Sequence, residues 1–120
     1  MRIAVTGGNG FIGKYFVEVF RRLNYELKKP IKLVVFDKNF SSKKIDKNIE
    51  LIKKDLSKSF ITKRRFDFII HAVAFADKSE LNGRYIDTTK DNFINCLEIS
   101  CFSLTSLARS FKSIMNERGS

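Results

Sequence analysis

The sequence predicts one α/β domain, a parallel sheet of about four strands with flanking helices. Three observations carry that expectation. Short apolar runs at Arg2–Thr6, Ile31–Phe36, Ile49–Ile52 and Phe66–Val73 have the length and β-branching of buried strands. A glycine-rich turn, Thr6-Gly7-Gly8-Asn9-Gly10-Phe11-Ile12-Gly13, joins the first run directly to a helical pattern. Strands that alternate with helices form parallel βαβ units with right-handed crossovers.

A chain of 120 residues can bury a real core, yet it is short for a complete two-sided α/β enzyme. Its 43% hydrophobic content and single proline fit a packed globular protein. No apolar run approaches the roughly 20 residues that span a bilayer. Only Ile3-Ala4-Val5 separates Arg2 from the glycines, too little for a secretory apolar region, so a cytoplasmic protein is expected. Cys96 and Cys101 lie five residues apart on a predicted helix, about 140° around its axis. They cannot bridge one another, no metal-ligand spacing accompanies them, and free thiols are expected.

The net charge of +10 raises the question of a nucleic-acid partner. Lys38, Lys43, Lys44, Lys47, Lys53, Lys54, Lys58, Lys63, Arg64 and Arg65 are scattered over loops, a strand and a short predicted helix. They lack the interleaved aromatics of a base-stacking platform, which favours a solvated surface over a nucleic-acid site.

In chain order, the first strand stops at Gly7-Gly8. Ile12, Phe16, Val19, Phe20 and Leu23 then recur at helical spacing, predicting a helix with that stripe against the sheet. After Lys29-Pro30 the second strand ends at Asp37, and a Lys-rich loop leads to a third strand ending near Asp55. A brief helix is expected over 57–64, followed by the fourth and most apolar strand. Phe75 to Thr88 has no period and contains Asn82-Gly83, so it predicts a loop. Thr88-x-x-Asp91 resembles a capping signature. Ile94, Leu97, Cys101, Leu104, Ala108, Phe111 and Met115 then step by 3 and 4, predicting one helix on the order of 40 Å long. That exceeds the strands beneath it, so part of the helix is expected to meet another surface.

Glycines at this spacing either turn a chain or admit a phosphate. The strand before them, the amphipathic helix after them and the acid ending the next strand favour the second use. Gly7 permits the tight turn, Gly10 leaves room for a pyrophosphate, and Gly13 lets helix and strand pack closely. The helix N-terminus adds unpaired N–H groups and partial positive charge. Asp37 fits the position that accepts hydrogen bonds from both ribose hydroxyls and repels a 2′-phosphate, favouring NAD over NADP; the neighbouring Lys38 would offset part of that repulsion.

Together, T-G-G-N-G-F-I-G, V-V-F-D, K-D-L and D-F-I-I-H-A-V-A, within residues 1–74, resemble the short-chain dehydrogenase/reductase superfamily. They look most like its extended branch of NAD-dependent sugar epimerases and dehydratases. The resemblance implies a Rossmann-like, doubly wound domain, incomplete in this chain. It places Gly7, Gly10, Phe11, Ile12 and Gly13 on the pyrophosphate and Asp37 on the adenosine ribose. Asp55 and Leu56 would flank the adenine, and Ala72, Val73 and Ala74 the ribose on the nicotinamide side.

Residues 66–120 resemble a different branch. H-A-V-A-F-A-D-K-S-E-L-N-G-R-Y-I-D-T-T-K-D-N-F, continuing through E-I-S-C-F-S-L, is similar to the NADH-dependent enoyl-acyl-carrier-protein reductases of fatty-acid synthesis. In that family the long helix helps form a tetramer interface, which implies a homo-oligomer through residues 89–116 here. Those reductases normally carry a longer Ser-Ile-Ala pattern in place of the glycine loop, and it is absent at residues 6–20. The chain therefore looks like either a divergent reductase or a junction of two branches.

Both branches use a Tyr to move a proton and a nearby Lys to lower its pKa, at Tyr-x3-Lys or Tyr-x6-Lys, downstream of the next strand. Neither pair stands in a suitable place. Tyr25-Glu26-Leu27-Lys28-Lys29 has the first spacing but lies at the end of the first helix, and Tyr85 has no Lys at either spacing. His71, the only histidine, lacks a nucleophile or metal partner and is expected to form structural hydrogen bonds. No catalytic residue is assigned. The expectation is the NAD(H)-binding, N-terminal half of a longer enoyl reductase, with an epimerase or dehydratase fragment and a non-catalytic dinucleotide-binding module as alternatives.

Overall fold

The computed structural model describes residues 1–40, 46–58 and 62–118. Its strands are β1 (Arg2–Thr6), β2 (Lys32–Asp37), β3 (Ile49–Lys53) and β4 (Phe68–His71), and its α-helices are α1 (Phe11–Glu26), α2 (Lys90–Leu97) and α3 (Ser103–Phe111). All strands are parallel, in the order β3-β2-β1-β4. The expected Rossmann-like sheet is present. β1 and β2 are central and buried on both faces, as their nearly unbroken apolar sequences require.

Side chains alternate between two cores along these strands. Ile3, Val5, Leu33, Val35 and Ile49 meet Val17 of α1 on one face. Ala4, Val34 and Phe36 meet Phe66, Leu107 and Phe111 on the other. There the rings of Phe36, Phe66 and Phe111 form a triangle with centroids 5.6–6.4 Å apart.

The rotation of α1 differs from the one its apolar spacing predicts. Gly13 and Val17 are its buried residues and Phe20 packs beside them, while Ile12, Phe16 and Leu23 are exposed. The glycine sets this. Gly13 must face the loop because its backbone lies against Gly7 and Gly8, and that contact turns Ile12 and Phe16 away from the sheet.

No helix occupies the described part of 57–64; residues 59–61 lie outside the described residues. Asp55 holds the residues that follow it as a turn, its Oδ1 accepting from the Ser57 N–H at 3.0 Å and hydroxyl at 2.7 Å. An aspartate that bonds the backbone two residues on competes with helix formation. The loop from Phe75 to Thr88 contains two short 3-10 turns, Lys78–Glu80 and Tyr85–Asp87.

The cap of α2 falls on Thr89 instead of Thr88, with Thr89 Oγ1 accepting from the Asn92 N–H at 3.2 Å. Glu80, from the loop, supplies the acid. It accepts from the Thr89 N–H at 3.0 Å, the Thr89 hydroxyl at 2.7 Å and Asn92 Nδ2 at 2.9 Å.

The long helix is interrupted by a π-helical turn, Glu98–Phe102. Only the C-terminal part of the helix reaches the sheet: Leu107 and Phe111 of α3 are buried, whereas Ile94, Leu97, Cys101 and Leu104 of the predicted stripe are exposed, and no residue of α2 joins either core. Met115 is not helical. Phe66 N–H donates to the Ile114 carbonyl at 2.9 Å and Asn116 N–H to the Phe66 carbonyl at 2.8 Å, so an isolated parallel bridge, Phe66 with Met115, forms just before β4. Asp67 anchors that corner by accepting from the Arg2 N–H at 2.7 Å and from Asn116 Nδ2 at 2.5 Å, bonds that hold its carboxyl below the usual carboxylate range.

Candidate dinucleotide site

The site is built where β1 gives way to α1. Gly7 has φ +70°, a conformation glycine adopts without steric cost, and its N–H donates to the Phe36 carbonyl at 2.9 Å. A Cβ on Gly7 would lie 2.3 Å from the Ala72 carbonyl oxygen, and one on Gly13 would lie 2.1 Å from the Gly7 carbonyl oxygen. Both glycines thus serve close backbone approach. Gly8, which with Gly7 ends the first strand, is also tightly placed: a Cβ there would meet Val35 Cγ1 at 2.0 Å.

Gly10 differs from these three. It is exposed, and its nearest neighbour to an added Cβ is the Gly7 carbonyl oxygen at 3.2 Å. It precedes α1 with no side-chain cap, and the first turn of that 16-residue helix carries no acid. The amides of Phe11, Ile12 and Gly13 therefore present the positive end of the helix at the loop mouth.

Asp37 sits across that mouth at the end of β2. Its Oδ2 accepts from the Asn9 N–H at 2.8 Å and its Oδ1 from the Asn39 N–H at 3.1 Å. A carboxylate has about four lone-pair positions, so acceptor capacity remains. Asn9 links the glycine loop to this acid, a contact with no signal in the sequence. Lys38 turns to the next strand end, with Nζ 3.4 Å from Asp55 Oδ2. Bonds from Ser57, followed by the Lys38 charge, hold the Asp55 carboxyl below its usual range against the opposing effect of burial.

On the other flank, Ala72 N–H donates to the Thr6 carbonyl at 3.0 Å, bringing Ala72 and Val73 beside Gly7, while Ala74 is exposed. The sequence-assigned residues thus follow the C-terminal ends of β3, β2, β1 and β4 in sheet order. Ligands of open α/β sheets bind outside such strand ends. Leu56 is partly drawn into the core beside Phe36. A cavity of about 280 Å³ lies beside Gly8 and Asn9, between Lys14 and Phe40. A larger one, about 350 Å³, opens at the opposite end of the sheet among Arg2, Lys32, Lys47 and Arg64, away from the glycine loop.

His71 is fully engaged. It lies 2.6 Å from Thr6 Oγ1 through Nδ1 and 2.8 Å from Ser103 Oγ through Nε2. Ser103 Oγ donates to the Ile99 carbonyl at 2.5 Å. Its proton is therefore committed, so Nε2 is the protonated ring nitrogen and Nδ1 accepts from Thr6. Burial pushes the His71 pKa down, which favours this neutral imidazole.

Tyr25 and Tyr85 are both largely exposed, on the last turn of α1 and on the second 3-10 turn. Cys96 and Cys101 are free thiols. Among the described residues, no group of three acidic, histidine or cysteine side chains could hold a metal, and no helix is long and apolar enough to cross a membrane.

Comparison with known proteins adds sequence evidence to this geometry. The profile of the family described as enoyl-(acyl carrier protein) reductase matches residues 44–120. Over 55 residues the chain is 56% identical to the enoyl-(acyl-carrier-protein) reductase (NADH) FabI of Rickettsia felis, covering 46% of this chain and 21% of that protein. The matched segment thus spans about a fifth of the curated relative. A short-chain dehydrogenase family protein from Francisella tularensis superposes with a TM-score of 0.70 at 22% identity, over 96% of this chain and 46% of that one. A UDP-galactose 4-epimerase superposes with a TM-score of 0.59 at 27% identity, over 93% of this chain and 35% of that one.

Proposed function

The chain belongs to the enoyl-(acyl carrier protein) reductase family, and on that premise we propose that it is the NAD(H)-binding portion of a cytoplasmic enoyl-acyl-carrier-protein reductase of fatty-acid synthesis. It would be a single Rossmann-like domain forming the N-terminal half of a longer enzyme. The observation that carries this proposal is the 56% identity over 55 residues to an NADH-dependent reductase, and the uncapped glycine loop ahead of α1 supports it. In this assignment the amides of Phe11, Ile12 and Gly13 bind the pyrophosphate, over the space that Gly10 leaves open. Asp37 accepts from the adenosine ribose, Asp55 and Leu56 flank the adenine, and Ala72, Val73 and Ala74 line the ribose on the nicotinamide side. Lys38 is drawn toward Asp55, so the Asp37 charge disfavours a 2′-phosphate and NAD is the cofactor.

Bound NADH supplies a hydride, and the residues of this chain bind and orient it. Neither Tyr25 nor Tyr85 has the lysine partner and setting that proton donation requires. The purified 120-residue chain should therefore bind NADH but reduce a crotonyl thioester at no more than a trace rate. NADH oxidation followed at 340 nm checks this, and turnover like that of an ordinary enzyme, about 1–1,000 per second, would contradict it.

A second proposal, a nucleotide-sugar epimerase or dehydratase portion, is favoured by the T-G-G-N-G-F-I-G loop together with the 27% identity to UDP-galactose 4-epimerase. It shares the dinucleotide site and differs in the chemistry beside it.

The helix bearing α2 and α3 also supports self-association. Ile94, Leu97, Cys101, Leu104 and Ala108 keep helical spacing yet lie exposed, with Phe93 and Phe102 exposed nearby. An apolar stripe of this kind usually marks an interface, and a second copy of the chain fits the oligomer that the family resemblance implies. Leu97→Glu combined with Leu104→Glu should convert the oligomer to a monomer without lowering the melting temperature. An unchanged mass by light scattering would reject this assignment.

A further inference from the structure

Two serines of the π-helical turn and its exit reach the nicotinamide flank of the site. Ser100 Oγ accepts from the Phe75 N–H at 3.0 Å and lies 3.2 Å from the Phe75 carbonyl oxygen, to which it donates. Both backbone polar groups of Phe75 thus end on one hydroxyl. Ser103, the first residue of α3, accepts from His71, which in turn accepts from Thr6 at the end of β1.

Between these anchors run Ala72, Val73 and Ala74, whose side chains have no polar group with which to fix their position. Toward the glycine loop the segment cannot move, since Gly7 already has no room for a Cβ against the Ala72 carbonyl. Away from it, the Ala72 N–H bond to the Thr6 carbonyl holds the start of the segment, and the hydrogen bonds at His71 and Phe75 hold its two ends. A π-turn replaces regular helical bonds, and such turns collect at functional sites. Here it delivers one hydroxyl to the strand end and another to the loop beyond it.

We propose that Ser100 and Ser103 are positioning residues, and that the π-turn with the first residue of α3 at its exit fixes the Ala72–Phe75 backbone against the glycine loop. It thereby sets the place of the nicotinamide half of the dinucleotide and leaves the adenine half unaffected. The proposal rests on the NAD(H) assignment above. The adenine half depends on Asp37 and Asp55, at the ends of β2 and β3, and neither is bonded to the π-turn.

The test titrates NADH and ADP-ribose, which lacks the nicotinamide, against the chain and two variants by calorimetry. Ser100→Ala should weaken NADH about fivefold to tenfold and ADP-ribose less than about twofold. Ser100→Thr, which keeps a hydroxyl, should bring NADH back to within about twofold of the parent. Hydrogen exchange gives a ligand-free arm: the Phe75 amide should lose protection in Ser100→Ala while the β1 amides keep theirs. Equal weakening of both ligands, or of neither, would overturn the proposal, as would an unchanged Phe75 amide. A folded parent that binds neither ligand overturns the NAD(H) assignment and this proposal with it. A parent that binds both, with no separation in the variant, overturns this proposal alone.

Discussion

Gly13→Val is expected to destabilise the domain by about 3–5 kcal/mol, most of what a small domain has. The cost begins with the first added atom, because a Cβ at position 13 would lie 2.1 Å from the Gly7 carbonyl oxygen and 2.7 Å from Gly8 Cα. Both neighbours are backbone, in a loop already fixed by the Gly7 bond to Phe36, so no side chain can swing aside. The available relief is for α1 to lift from β1, which pulls Val17 and Phe20 from the core. Burial of side chains of that size is worth about 1.5–3 kcal/mol each. The gain in helix propensity on replacing glycine is below about 1 kcal/mol and cannot offset this. Urea unfolding followed by circular dichroism measures the loss, and a stability within about 1 kcal/mol of the parent would show that the contact is not restrictive.

Gly10→Leu should do the reverse, leaving the fold intact and removing the ligand. Position 10 has φ −69° and ψ 171°, open to any residue, and its Cβ would lie 3.2 Å from the Gly7 carbonyl oxygen, a tight contact that a shift of a few tenths of an ångström relieves. The cost to folding is about 1 kcal/mol or less, mainly from a poorer helix cap. The new side chain, however, stands before the amides that would bind the pyrophosphate. NADH affinity should fall by about a hundredfold, roughly 2.7 kcal/mol, at nearly unchanged melting temperature. If the leucine variant binds NADH within about threefold of the parent, the ligand does not use this mouth. The two substitutions lie three residues apart in one motif and separate its structural glycine from its binding glycine.

Much of this architecture was legible in the sequence because it rests on local rules. The four apolar runs became four parallel strands, and Gly7 and Gly13 took the tight turn and the close helix contact that their spacing suggested. Where periodicity misled, a backbone feature had overridden it. The apolar spacing of α1 was outweighed by the fit of Gly13 to the loop, and the stripe from Ile94 to Leu104 stays exposed because a π-helical turn splits the helix and its first half, α2, joins neither core. A π-turn has no residue signature, so its position could not be read from spacing alone.

The remaining differences are tertiary. Glu80 caps α2 from 9 residues upstream of Thr89, a distance over which a Thr-x-x-Asp pattern carries no information. Asn9 meets Asp37 through its backbone N–H, 28 residues away in sequence. Met115 kept helical spacing but forms a parallel bridge to Phe66, whose N–H and carbonyl are offered to the 114–116 segment just before β4. Of the scattered basic residues, Lys47 and Arg64 line the cavity at the end of the sheet remote from the glycines, where Asp46 and Glu50 accompany them and Arg64 pairs with Glu50 at 2.7 Å.

The central claim is that the strand ends and the uncapped first turn of α1 hold NADH. Calorimetric titration of NADH against the purified 120-residue chain, with folding checked by circular dichroism, tests it most directly. Saturable one-to-one binding that weakens when NADPH replaces NADH is the predicted result. No heat of binding at millimolar NADH, from a chain that remains folded, would contradict it.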